Sequence, residues 1–402
     1  MVGAGAAGLV AAERAATRGE KTLLLEKNRK PGVKILMSGG TRCNLTQATD
    51  SRGIVAAYGP PGRFLHSALA ALSPQALVAL VEAEGVATKI EATGKVFPVS
   101  NKAADVLRAF TARLHRSGCE LALAEPLVDL DRTSAGFRLF TPQRTLTAAR
   151  VIITSGGQSY PGCGTTGDGY RWATRLGHGL VPPRPALAPI TASAAWTEGL
   201  QGITVPDVAL RLVEPADKPR LLDSRRGSFL FTHFGLSGPV VLDVSRHVSA
   251  HARPQSLRLE CDFLPSLSAT ALDEHLRSQA TDSGKRQVPA LVPEILPRRL
   301  VESLVREAGL ASDLKAAELS KVGRSALVRA IKQTSIPVAG TRGFAKAEVT
   351  AGGVPLTEVD SRTMQSNLVR GLYLAGEILD LDGPIGGYNF QAAFSTGWLA
   401  GG

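Results

Sequence analysis

The chain has 402 residues, 44% of them hydrophobic, and a formal net charge of +11. That length supports two or three domains with buried cores and makes disorder a poor description. Apolar runs such as Ala76 to Val81 fall far short of the roughly 20 residues that a membrane-spanning helix needs. The start is small and apolar but lacks a basic leader and meets Glu13 directly, so no export signal and a cytoplasmic location are expected.

Cys43, Cys119, Cys163 and Cys261 are widely spaced with no C-x-x-C pair, which fits reduced thiols better than a disulfide scaffold. The seven histidines include no H-x-x-x-H or H-E-x-x-H, so no metal site is expected. The positive charge suits phosphates or RNA, yet basic residues are scattered beyond the pairs Arg225-Arg226 and Arg298-Arg299. With 5% aromatics, no RNA-recognition pattern or stacking platform stands out. A dinucleotide and a small acidic substrate explain the charge equally well, so a small molecule is the expected partner and nucleic acid is not.

In chain order, Gly3-Ala4-Gly5-Ala6-Ala7-Gly8 matches G-x-G-x-x-G and runs into a helical stretch from Leu9 to Arg18 that Gly19 ends. Lys21 to Leu25 reads as a buried strand and ends at Glu26, eighteen residues past Gly8. That arrangement is a dinucleotide fingerprint: a tight turn, close approach to a pyrophosphate, a helix N-terminus facing it, and an acid for a ribose hydroxyl. Only Met1 and Val2 precede Gly3, as a misassigned start would leave it, which predicts a weak central strand. A second match, Gly162 to Gly167, follows a Tyr160-Pro161 loop and lacks a later acid, so it is not read as a fingerprint.

Ser73 and Pro74 predict a helix ending before Gly85, and Asn101 opens another that runs to Gly118. Strand-like stretches follow at Glu120 to Leu123, Phe137 to Thr141 and Thr145 to Thr154. From about Ile190, alternating segments at Ile203 to Val213, Ser228 to Thr232 and Leu257 to Phe263 predict a small antiparallel barrel or sandwich. Amphipathic helical patterns occupy Ala271 to Gln279, Leu300 to Glu307 and Ala326 to Ile331; strand character returns at Phe344 to Val349 and Gly371 to Ala375.

The segment Lys34 to Thr46, ending Ser-Gly-Gly-Thr-Arg-Cys-Asn-Leu-Thr, resembles a signature of the BaiN-like flavoproteins, the aminoacetone-oxidase-like FAD-binding family. The family pattern has glycine at Thr41 and asparagine at Gln47. Further blocks fall in family order: GPPGRFL from Gly59, GKVFP from Gly94, Gly156 to Tyr170, FTHFGLSGP from Phe231, Ala351 to Val354 and Gly371 to Gly397. The resemblance covers nearly the whole chain. It implies an α/β fold, a Rossmann-type FAD-binding domain of the two-dinucleotide-binding flavoprotein type, interrupted by a β-barrel-like domain and a small helical domain. The expected boundaries are 1–188 and 348–402 for the FAD domain, 189–265 with 335–347 for the barrel, and 266–334 for the helices.

Carried over by position, Gly3, Gly5, Ala6, Ala7, Gly8, Glu26 and Lys27 face the ADP half of FAD. Lys34, Ser38, Gly39, Gly40, Arg42, Cys43 and Asn44 line the pyrophosphate and flavin. Val128, Ser155, Gly156, Gly157, Gly376, Glu377, Asp380, Gly386, Gly387, Tyr388, Asn389 and Phe390 complete the expected cofactor contacts. Arg42 can neutralise a diphosphate oxygen, its alternative being a surface ion pair. The last helix would aim its N-terminus at the flavin ring and favour the reduced, negative form. Cys43 lacks the second thiol of a disulfide reductase and is read as structural or flavin-adjacent. His233 and Tyr388 are the candidate proton donors, with Lys346 a weaker one; the alternative for His233 is a hydrogen-bonded hinge histidine.

The expected activity is hydride transfer through FAD between a nicotinamide donor, which can visit only transiently because no second fingerprint exists, and an enone, carbonyl, amine or oxygen. The alternatives are an RNA-associated flavoprotein resembling tRNA-modifying flavoenzymes, and a non-redox FAD-binding scaffold. Neither the substrate nor the oligomeric state is legible.

Overall fold

Apolar runs of three residues, too short for helices and buried on both faces, become the strands of a parallel sheet. The computed structural model describes residues 1–192 and 194–402. It divides the chain into two units, Met1–Pro185 with Glu348–Gly402, and Ala186–Ala347. In the first, the parallel strands lie in the order Glu120–Ala122, Leu23–Leu25, the bridge at Val2, Val151–Ile153 and Leu372–Leu374. The short start therefore holds the central position of the sheet as a single bridge to each neighbour. Val2 donates to the Ile152 carbonyl (3.0 Å), Thr154 donates to the Val2 carbonyl (2.9 Å), and Gly3 donates to the Leu25 carbonyl (2.8 Å).

Two strand expectations shift. The stretch 145–154 is two strands: Thr145–Ala148 joins an antiparallel sheet with Gly136–Phe140 and Asp129–Thr133, whereas Val151–Ile153 enters the parallel sheet. Half-buried alternation gives way to continuous burial at that break. Residues 344–347 form turns, with Lys346 donating to Gly343 and Ala347 to Phe344, and the strand is Val349–Gly353, buried throughout. The helix expected from Asn101 spans Ala103–Arg116, because Asn101 itself sits in the left-handed region at φ 55°. Ser73 does cap its helix, accepting from Ala76 N–H at 3.1 Å.

The second unit contains a closed, all-antiparallel barrel. Around it run Ile190–Ala192, Gly235–Ser237, Arg220–Thr232, Thr204–Glu214, Arg258–Asp262 and Thr334–Thr341, the last pairing again with the first. The helices Ala269–Asp282, Arg298–Glu307 and Lys321–Lys332 have no core of their own. Leu272, Leu276, Leu300, Leu304 and Leu327 are buried in the same cluster as barrel residues Val208, Leu210, Phe229 and Ile336. Among the described residues no single helix is long and apolar enough to cross a membrane.

In the first unit, the opening helix Ala6–Thr17 and the closing helix Tyr388–Ala400 lie against each other on their smallest residues. A Cβ added at Gly397 would stand 2.2 Å from the Ala7 carbonyl oxygen, and one at Gly401 would stand 2.3 Å from that of Ala11. Chain ends nearly 400 residues apart are held at backbone contact. Gly397→Val should destabilise this unit by about 3 kcal/mol through overpacking, read as a lowered urea midpoint of the flavin-loaded protein. An unchanged midpoint would show that the two helices are not so closely apposed.

Candidate functional site: a glycine-lined cofactor cradle

The opening helix begins at Ala6 after Gly5 with no side chain capping its N-terminus, which leaves a ring of first-turn N–H groups for an anion. The glycines of the fingerprint divide by what confines them. A Cβ at Gly8 would be 1.9 Å from the Gly3 carbonyl oxygen, and one at Gly3 would be 2.7 Å from that of Thr154, so both are demanded by the protein's own backbone. At Gly5 the same position meets nothing within 4 Å. Gly5 is the glycine whose backbone a ligand can approach. Glu26 is buried at the end of the second strand, with Oε2 accepting from Ala4 N–H and Oε1 from Asn28 N–H, both at 2.8 Å. Each oxygen keeps a lone pair for a ribose hydroxyl.

The signature loop folds onto the same unit. The helical geometry of Val33–Thr41 is broken at Ser38, Gly39 and Gly40, the last two being left-handed at φ 56° and 67°. A Cβ at Gly39 would be 2.9 Å from Asn44 N, whereas Gly40 faces open space. Thr41 continues the left-handed run at φ 67°; Arg42 interrupts it at φ −99°, and Cys43 is again left-handed at φ 62°. With its amide turned to satisfy both neighbours, Asn44 accepts from Gly387 N–H (3.0 Å) and donates to the Thr46 carbonyl (3.1 Å). Thr46 Oγ1 then donates to Gln391 Oε1 at 2.6 Å. The loop is thereby tied to the start of the closing helix, where Gly387 (φ 95°) has no room for a Cβ against the Thr46 carbonyl carbon at 2.5 Å.

Lys34 and Glu377, distant in sequence, form the site's central ion pair at 2.6 Å. Lys34 also donates to Ser159 Oγ (2.6 Å), Ser159 Oγ donates to Glu377 Oε1 (2.5 Å), and Thr350 N–H donates to the same oxygen (2.8 Å). Thr350 Oγ1 accepts from the N–H groups of Gln158 and Ser159 at 2.8 and 2.9 Å, which seats the loop carrying Gly156 and Gly157. Ser155 contributes a buried Oγ with no protein partner. Asp380 is half-buried, and its carboxylate accepts no protein hydrogen bond among the described residues, which leaves it for sugar hydroxyls. Gly376 lies beside Ala7, its added Cβ reaching the Ala7 methyl at 3.0 Å.

Other expected contacts are occupied by the protein itself. Arg42 pairs with Glu91 at 2.6 Å and lies over the Phe97 ring at 4.0 Å, the ion-pair alternative to a diphosphate contact. Lys27 donates to Asp168 (2.6 Å) and Thr166 (2.7 Å). Val128 donates to the Phe140 carbonyl at 2.8 Å, and its own carbonyl accepts from Arg171 and Trp172, so strand and helix claim both its backbone groups. Asn389 clamps the preceding turn through Gly383 and Pro384, and Phe390 stacks on Phe394 with centroids 6.0 Å apart. Burial pushes the Cys43 thiol up to about 12, so it stays protonated and packs in the core. Tyr388 is half-buried in the first turn of the closing helix; its carbonyl accepts from Tyr58 at 3.1 Å. His233 and Lys346 are exposed and belong to the other unit. Sequence reasoning misses Ser159 and Thr350, ordinary hydroxyls whose roles arise only when three distant segments meet at Glu377.

These residues fit a dinucleotide: two uncapped helix starts, open backbone at Gly5 and Gly40, an unpartnered Ser155 hydroxyl and the unengaged carboxylate of Asp380. The model of the HI0933-like protein Rossmann domain matches residues 1–402. The chain belongs to that family. It is the FAD-binding family that the motifs resemble, and the chain is accordingly an FAD-dependent oxidoreductase. Among curated relatives of the family, a ribosomal RNA dihydrouridine synthase of Escherichia coli (strain K12) is 32% identical over 401 residues, spanning 99% of this chain and 95% of the relative. A 3-dehydro-bile acid delta(4,6)-reductase of Clostridium scindens is 30% identical over 405 residues, spanning 100% and 97%. The solved 3-ketosteroid delta1-dehydrogenase of Sterolibacterium denitrificans aligns with a TM-score of 0.48 at 15% identity, over 100% of this chain and 97% of that one.

The left-handed conformation at position 41 carries a cost in this chain. A β-branched side chain in the left-handed region is strained by about 1–2 kcal/mol, and Thr41 is exposed, so no packing offsets it. Thr41→Gly should raise unfolding free energy by about 1 kcal/mol after the added chain entropy is counted, read from chemical denaturation. A loss of stability would show that Thr41 does not hold this conformation.

Proposed function

We propose that this chain reduces a carbon–carbon double bond conjugated to a carbonyl, and that the double bond belongs to a uracil base of ribosomal RNA. The observation that carries the reading is the pair of full-length relatives: one is named for making dihydrouridine, in which the uracil C5–C6 bond is saturated, and the other for reducing the delta(4,6) bonds of a 3-oxo steroid. Their named substrates differ, yet both reactions add hydride to an unsaturated carbonyl system. A net charge of +11 suits a polyanionic substrate, as it does an acidic small molecule. This reading takes up the RNA-associated alternative in place of the small-molecule one. The steroid-like reading stands second, on the Clostridium scindens relative alone.

FAD supplies the hydride chemistry when bound. The chain's part is to hold and bias it. Gly5 through Gly8 and the helix behind them would take the diphosphate, Glu26 and Asp380 would take sugar hydroxyls, and the N-terminus of the closing helix would favour the reduced, negative ring. The Lys34–Glu377 pair, with Ser159 and Thr350, fixes the loops that carry these groups. Tyr388 is the proton donor on this unit, and a nicotinamide donor, NADH or NADPH, visits without a fingerprint of its own.

Flavin-loaded protein mixed without oxygen with NADH or NADPH, then with unmodified ribosomal RNA, should convert uridine to dihydrouridine. Mass spectrometry of the digested nucleosides should show a gain of two hydrogens that depends on the nicotinamide. RNA left unchanged while a 3-oxo-4,6-diene steroid is reduced would select the second reading instead.

A further inference from the structure

An aromatic and basic cluster gathers at one end of the barrel. Ile190 pairs on one side with Leu236 and on the other with Thr341. This register places the His233–Phe234 turn, which joins Thr232 to Gly235, at the same barrel end as Arg342. Arg342 N–H donates to the Pro189 carbonyl at 2.9 Å, which fixes where its side chain departs. Its guanidinium lies 4.6 Å from the centroid of the Phe234 ring and makes no ion pair among the described residues. The His233 ring meets Phe234 edge-on at 4.9 Å. His233 and Arg342 are exposed and Phe234 is half-exposed. Gly235 (φ 137°) holds the turn tight against the neighbouring strand, since a Cβ there would be 2.5 Å from the Ile190 carbonyl oxygen. Thr232, at the root of the turn, keeps a buried Oγ1 without a protein partner.

Phe234 is half-exposed and carries a guanidinium that makes no ion pair among the described residues. A ring that stacks a base beside a forked cation that meets the adjoining phosphate is the elementary unit of single-strand recognition. We infer that the His233–Phe234–Arg342 cluster binds single-stranded RNA, with a base against the half-exposed Phe234 ring and a backbone phosphate on Arg342. This rests on the RNA reading above and gives it a place on the chain.

The test is fluorescence anisotropy of the flavin-loaded protein with a short, fluorescein-labelled, uridine-rich single-stranded RNA, at several salt concentrations. Phe234→Leu keeps an apolar side chain but removes the ring, and should weaken binding about tenfold. Phe234→Trp should restore it. Arg342→Ala should weaken binding and reduce the slope of log affinity against log salt by about one. Flavin content and the rate of flavin reduction by the nicotinamide should stay at the parent's values in all three, which separates recognition from folding. If the parent binds the RNA and Phe234→Leu and Arg342→Ala bind it equally well, the cluster is not the site and the RNA reading survives alone. If the parent does not bind, both fall together.

Discussion

Everything in the first unit depends on one packing constraint: the opening and closing helices approach until backbone touches backbone. Gly397 and Gly401 on one, Ala7 and Ala11 on the other, remove the side chains that would hold them apart. Because both helices begin without a side-chain cap, this contact sets two uncapped N-termini within one unit. Two partial positive charges so placed suit a ligand that is anionic at one position and becomes anionic at another on reduction. A cofactor with a diphosphate and a reducible ring answers to that description. The remaining site residues act mainly as ties. Asn44 joins the signature loop to Gly387, and Glu377 joins Lys34, Ser159 and Thr350.

The parts of this that a linear reading can reach are those encoded by local rules. G-x-G-x-x-G followed by a strand and an acid at the right spacing is a short-range pattern, and Glu26 does lie beside the turn, bonded to Ala4. The Ser73 cap and the amphipathic helices of the second unit are likewise local. Strand boundaries are harder. Thr145 to Ile153 reads as one strand-like stretch, and the partners available on either side of Ala149 divide it between two sheets. The stub at Met1 looks inadequate for a central strand because its stability comes from neighbours at 25 and 152–154, not from its own length. Arg42, Lys27 and Val128 carry the right chemistry for a cofactor, but Glu91, Asp168 and Phe140 engage them, and none of those partners is visible from sequence spacing.

The second unit shows the same limit in reverse. Its barrel strands and its helices read as separate domains because their periodicities differ, yet the leucines of the helices and the β-branched residues of the barrel fill one apolar cluster. Periodicity reports which face is buried; it does not report what covers it. The stacking platform at Phe234 is also invisible in the chain, since it is assembled from residues more than a hundred positions apart brought together by the strand at Ile190. Low aromatic content argues against RNA only on the assumption that such platforms need many rings.

Amide hydrogen exchange, followed by mass spectrometry on the flavin-free and FAD-loaded protein, tests most directly whether one molecule engages both helix starts. Loading should slow exchange together in the peptides covering Gly3–Leu9 and Gly386–Gln391, and the two should respond at the same FAD concentration. Slowing in one of these peptides with the other unaffected would contradict the claim that a single molecule is held between both ends of the chain.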